Sequence, residues 1–117
     1  MAMPMSLILS SITEKEMMMT RDLKRCPTHP GELLREDVIP ATKRSKSEIA
    51  KLLGVSRQHL HDVLAERKPV SPEFAVRLGK LFGNDAGLWI RMQGAYDEWN
   101  ASRTVDVSNI PTVVAAE

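Results

Sequence analysis

The stretch KSEIAKLLGVSRQHLHDVLA, residues 46–65, decides how this 117-residue chain is read. It fits two short amphipathic helices joined by a tight turn. Ser45 or Ser47 caps the first, and Ile49, Ala50, Leu52 and Leu53 recur at the spacing of a buried helical face. Gly54 ends it, because a residue without Cβ enters positive φ at little cost. Ser56 caps the second helix, with Leu60, Val63 and Leu64 inward. Helices that cross steeply need a small residue where their backbones approach, which Ala50 supplies, while Val55, Leu60 and Val63 pack the second helix onto the first. Small, glycine and apolar positions agree along the whole window, and together they specify a helix-turn-helix.

The flanks continue the helical pattern. Thr28, Pro30 and Glu32 give a hydroxyl cap, a first-turn proline and an early carboxylate; Leu33, Leu34, Val38 and Ile39 follow at helical spacing, and Pro40 is expected to stop the run. Beyond the loop at Lys68-Pro69-Val70, Ser71-Pro72-Glu73 opens a fourth helix whose apolar side is Phe74, Val76, Leu78, Leu81 and Phe82, closed by Gly83-Asn84. A fifth spans about 86–100 through Leu88, Trp89, Met92, Tyr96 and Trp99, and the β-branched tail 104–116 reads as disordered or as a short strand. The expectation is an all-α, compact five-helix domain over 26–102, between a flexible N-terminal arm, 1–25, and a C-terminal tail, 103–117. Within the arm, the run Met17-Met18-Met19 leaves two starts open, Met1 and Met19.

Composition bounds the function. Aromatic residues are only 4% of the chain, and Cys26 is the lone cysteine, so no internal disulfide forms and a reducing compartment suits the chain. The apolar stretch 3–12 has no basic residue ahead of it, contains Pro4 and lacks a small-x-small cleavage site; it is also too short to span a bilayer. A cytoplasmic protein without membrane partner is the expectation. The formal net charge of +1 conceals an asymmetry: residues 40–70 hold seven basic and three acidic side chains, net +4, and the remainder is net −3. Positive charge therefore gathers on the helix-turn-helix, as expected of a surface that meets double-stranded DNA, although a solvated lysine-rich face is the plainer reading of charge alone.

With Leu60, Val63 and Leu64 inward, Gln58, His61, Asp62 and Ala65 face the other way, and Arg57 projects from the first turn. Arg57, Gln58, His61 and Asp62 are the candidate base readers: arginine pairs with guanine, glutamine with adenine, histidine donates, and a carboxylate accepts from cytosine or excludes the wrong base. Lys43, Arg44, Lys46, Ser56, Arg67 and Lys68 are candidate phosphate contacts. No cofactor, metal or catalytic constellation emerges. Cys26 and His29 lack a second ligand pair, His59 and His61 diverge by roughly 200° on a helix, and Glu36-Asp37 and Asp97-Glu98 point apart. His29 reads instead as part of a helix-start turn. The aromatic stripe of the fifth helix reads as core, with its far end, Tyr96 and Trp99, open to a dimer interface.

The runs Gly54-Val55-Ser56-Arg57-Gln58, 71–78 (SPEFAVRL), Leu88-Trp89 and Tyr96-Asp97-Glu98-Trp99, with the opening 27–32 (PTHPGE), resemble the HigA (VapI-like) antitoxins of the phage-repressor, Cro/C1-type superfamily. The resemblance covers about 27–101. It implies a lambda-repressor-like domain that acts as a homodimer, binds operator DNA, represses its own operon and neutralises a small basic RNase toxin of the HigB/RelE type. The chain departs from the family pattern at His59, His61 and Asp62, so its operator is its own. A stand-alone phage-type repressor and a helical interaction module without DNA contact are the alternatives.

Overall fold

In a computed structural model that describes residues 25–116, the first helix begins at His29 and not at Thr28. The His29 Nδ1 accepts the Gly31 N–H at 2.9 Å, and Pro30 occupies the first turn, where a missing N–H costs nothing. Helix α1, residues 30–42, is built from an α-turn at Pro30–Leu33, a π-helical segment at Leu34–Val38 and a closing α-turn at Ile39–Thr42. The helix thus runs through Pro40, contrary to the sequence expectation, and ends where Lys43 turns left-handed at φ 59°. A proline ring collides with the carbonyl four residues back in a regular α-helix. Here the Ile39 N–H bonds the Leu34 carbonyl, five residues back, and the widened turn ahead of Pro40 makes room for the ring.

Helix α2 is Lys46–Leu53, capped by the Ser45 hydroxyl on the Glu48 N–H at 3.1 Å. Gly54, at φ 73°, ends it, and the Val55 N–H returns to the Ala50 carbonyl at 3.0 Å. Two residues later the Ser56 hydroxyl accepts the His59 N–H at 3.0 Å and starts helix α3, Arg57–Leu64. Helix α4 is Pro72–Phe82, capped by Ser71 and closed by left-handed Gly83; helix α5 is Ala86–Thr104, four residues longer than the sequence suggests.

One core joins all five. Leu34 and Val38 of α1, Ile49, Ala50 and Leu53 of α2, Leu60, Val63 and Leu64 of α3, Phe74, Leu78 and Phe82 of α4, and Trp89 and Met92 of α5 are buried. Trp89 is wholly enclosed and donates through Nε1 to Asn84 Oδ1 at 3.2 Å. Leu52 and Val76, expected inward, are 52% and 61% exposed. Each lies roughly 100° or more around its helix from the mean direction of its buried neighbours, too far to reach the core. Gly31 sets the closest approach: a Cβ there would stand 2.0 Å from the Val63 carbonyl oxygen, so α1 rests backbone to backbone on α3.

No strand occurs among the described residues. The tail past Thr104 carries a turn, with Asp106 accepting the Ser108 N–H at 2.9 Å, and leaves Val107, Ile110, Val113 and Val114 exposed. No helix among the described residues is long and apolar enough to cross a membrane. The apolar arm 3–12, the methionine run, and Glu14 and Glu16, acidic residues of the arm that could meet a cationic partner, lie outside the described residues.

Candidate nucleic-acid interface

Two arginines from flanking helices fix the orientation of α2 and α3. Arg77 of α4 donates through Nη1 to the Leu53 carbonyl at 2.9 Å and through Nη2 to Glu73 at 3.2 Å. Arg35 of α1 donates to the Leu64 carbonyl at 2.7 Å, to Glu66 at 3.3 Å and to Glu36 at 2.8 Å. The last carbonyls of both helices of the motif, which have no partner inside their own helices, are thereby satisfied from outside. Gln93 of α5 does the same for the following loop: its Oε1 accepts the Val70 N–H at 2.7 Å, and its Nε2 donates to Asp97 at 2.9 Å. None of these three appears among the site residues expected from sequence. Each acts across more than twenty residues of chain, and no local pattern signals such a contact.

Between the start of α2 and the outer side of α3 lies an open groove of about 440 Å³, lined by Lys46, Ser47, Arg57, Gln58 and His61, with Leu60 and Leu64 at its floor. Four of the expected site residues, Lys46, Arg57, Gln58 and His61, therefore share one surface. Arg57 and His61 are exposed, and no carboxylate among the described residues pairs with Arg57. Ser56 uses its oxygen lone pair as a cap, which leaves its hydroxyl proton to donate. Lys43 and Arg44 stand in the loop before α2, exposed, with Arg44 paired to Glu48 one turn on.

Asp62 behaves differently from the other candidate readers. Its side chain is only 15% exposed, and its Oδ1 accepts both Gln58 Nε2 at 2.9 Å and Arg67 Nη2 at 2.8 Å. Lys68 Nζ lies 3.9 Å from Oδ2, and the Asp62 backbone carbonyl takes the N–H groups of Arg67 and Lys68. The bonded Arg67 guanidinium, helped by Gln58 and opposed by burial, holds this carboxyl below the usual carboxylate range. The two expected phosphate contacts Arg67 and Lys68 are thus gathered onto Asp62, and neither lines the groove.

Tyr96 and Trp99 are half-buried on α5 and do not line the groove. The Tyr96 ring meets the His29 ring edge-on at 4.7 Å, and the Arg103 guanidinium lies 3.9 Å over Trp99, whose buried Nε1 has no hydrogen-bond partner. His59 turns from the groove to set its ring against Phe74 at 5.1 Å. No cluster of three or more His, Cys, Asp or Glu side chains positioned to hold a metal occurs among the described residues.

Known proteins share this fold. The chain is 39% identical over 69 residues to virulence-associated protein I of Dichelobacter nodosus, a match covering 59% of this chain and 64% of that protein's length. Among solved structures, the Pseudomonas aeruginosa antitoxin HigA with the higBA promoter superimposes with a TM-score of 0.63 at 32% identity, over 66% of this chain and 84% of that one. The antitoxin GraA in complex with its operator gives 0.69 at 29% identity, over 81% and 98%. No family model matches the chain.

Proposed function

Because this chain belongs to the HigA (VapI-like) antitoxin family of helix-turn-helix proteins, we propose that it binds operator DNA as a homodimer, represses its own operon and neutralises a small basic RNase toxin of the HigB/RelE type. Residues 26–102 are the DNA-binding domain on this reading, and its place of work is the cytoplasm. The observation that carries the proposal is the groove in which Arg57, Gln58 and His61 of α3 stand beside Lys46. Arg57, a planar donor, and Gln58, a planar donor and acceptor, stand on the first turn of a helix that a major groove admits, suited to guanine and adenine respectively. Lys46, Ser56, Lys43 and Arg44 flank them with groups that grip phosphate and carry no sequence preference.

Dimerisation follows from reach. One recognition helix covers only a few base pairs, and a second copy raises affinity through effective concentration while reading a second half-site. The far end of α5 supports the contact, since Tyr96 and Trp99 remain half-exposed there and the tail beyond presents apolar side chains to solvent. The toxin is supported by charge: Glu32, Glu36 and Asp37 are exposed on α1, outside the basic stretch, and suit a cationic partner.

Two experiments separate the parts. A shift assay on DNA upstream of the chain's own gene, repeated over a salt series, distinguishes the repressor from a helical adaptor that ignores DNA. Co-expression with the adjacent small reading frame distinguishes the antitoxin from a stand-alone repressor: the neighbour's product is expected to arrest growth alone and to be bound and silenced by this chain.

A further inference from the structure

We infer that Asp62 sets operator specificity without touching a base: it orients the Gln58 amide and restrains Arg67 and Lys68. The inference rests on the operator-binding reading above and assigns Asp62 a role beside the reader instead of among the readers. Its Oδ1 already accepts from Gln58 and Arg67, its Oδ2 faces the Lys68 ammonium at 3.9 Å, and little of the side chain reaches solvent.

The consequence for Gln58 is chemical. A primary amide carries a donor end and an acceptor end and reads adenine by donating to N7 while accepting from the N6 amino group. An amide free to flip presents those ends in either order across the groove. An ionised carboxylate only accepts, so the end of Gln58 that faces Asp62 must be Nε2, and Oε1 is left for the base. The second Nε2 hydrogen remains for N7. Because the order of N7 acceptor and N6 donor across the major groove reverses when A·T becomes T·A, a fixed amide distinguishes a base pair from its inversion.

The consequence for the loop is electrostatic. Arg67 and Lys68 would each add a sequence-independent phosphate contact, and their attachment to Asp62 makes part of that attraction redundant before DNA arrives. Asp62 on this account lowers affinity for all DNA and raises the margin by which the operator wins.

The test uses the full chain and fluorescence anisotropy on duplexes from its upstream region. Loss of preference in Gln58→Ala first identifies the base pair that Gln58 reads. Wild type, Asp62→Ala, Asp62→Asn and the Gln58→Ala/Asp62→Ala double variant are then titrated on the natural duplex and on one with that pair inverted, over a salt series. Wild type should prefer the natural duplex by about fivefold or more, the lower end for one bidentate contact. Asp62→Ala should reduce that preference to the level of Gln58→Ala, leave discrimination at the Arg57 pair intact and steepen the salt dependence. The double variant should lose nothing further. Asp62→Asn keeps an oxygen for Gln58 without the charge, so it should restore part of the preference while the salt dependence stays steep. Wild-type preference in Asp62→Ala, or a loss spread evenly over every base pair, would overturn the inference. If Gln58→Ala changes preference nowhere, the placement of α3 on the operator is itself wrong, and the inference goes with it.

Discussion

Arg77 on α4 and Leu53 on α2 are 24 residues apart in sequence and joined by a hydrogen bond of 2.9 Å, from Nη1 to the backbone carbonyl. The bond falls at the turn of the helix-turn-helix, where Gly54 takes positive φ and lies against the same guanidinium. Arg35 forms the matching bond to Leu64 at the end of α3. Helix α3 is therefore held at its entrance and at its exit by side chains that bond backbone carbonyls.

Removing either brace should weaken the fold and blur the readout together. A charged donor on a carbonyl is worth about 1.5–3 kcal/mol, so Arg77→Ala and Arg35→Ala are each expected to lower unfolding stability by that order in urea titration. Arg77→Lys should recover little, since an ammonium lacks the fork that serves Leu53 and Glu73 at once.

Gly31→Ala tests the approach of α1 to α3. The added methyl would sit 2.0 Å from the Val63 carbonyl oxygen, and both sides of the contact are backbone. Overpacking of this kind costs about 1–3 kcal/mol or more, and thermal melting should show a clear fall in midpoint. The exposed Gly94, with nothing within 4 Å of its Cβ position, serves as the control: Gly94→Ala should be neutral or stabilising within α5.

His29 makes stability depend on pH. Burial lowers its pKa, with Arg35 acting in the same direction and Glu66, Asp97 and Glu32 opposing. The neutral ring is also the form whose Nδ1 can accept the Gly31 N–H. A folded-state pKa below the unfolded value near 6.5 means that the contribution is complete above about pH 6.5 and is lost as pH falls through the folded pKa. Urea midpoints measured from pH 7.5 down to pH 5 should decline in wild type, and His29→Asn, which keeps a cap without a titrating ring, should flatten the decline.

Much of this was legible in the chain itself. Ala50, Gly54 and Ser56 mark the motif because a close approach, a left-handed residue and a cap each demand a particular residue type at a fixed spacing. Ser71 and Pro72 announce α4 for the same reason. Pro40 misleads because its cost in a helix is relieved by a π turn, which sequence periodicity does not register. Leu52 and Val76 mislead because hydrophobicity does not say which apolar residue of a broad face finds a partner. The braces at Arg35, Arg77 and Gln93 are tertiary contacts, and the tie between Asp62 and Gln58, although one helical turn long, becomes distinctive only once Arg67 folds back onto the same oxygen.

Base readers and phosphate contacts should separate by their salt behaviour. Arg57→Ala is expected to cost about 1–3 kcal/mol against the cognate operator and to relax preference at one base pair. Lys46→Ala should weaken every duplex about equally and reduce the salt slope by roughly one. Equal behaviour of the two variants would mean that α3 lies along the backbone and not in the groove.

The most direct test of the account is a footprint of the full chain on the DNA upstream of its own gene, titrated in parallel with Arg57→Ala/Gln58→Ala. The account expects protection of an inverted repeat whose half-sites lie about one helical turn, or a multiple of it, apart, saturating with two protomers per site and abolished in the double variant. Protection without dyad symmetry, or an identical footprint from the double variant, would contradict it.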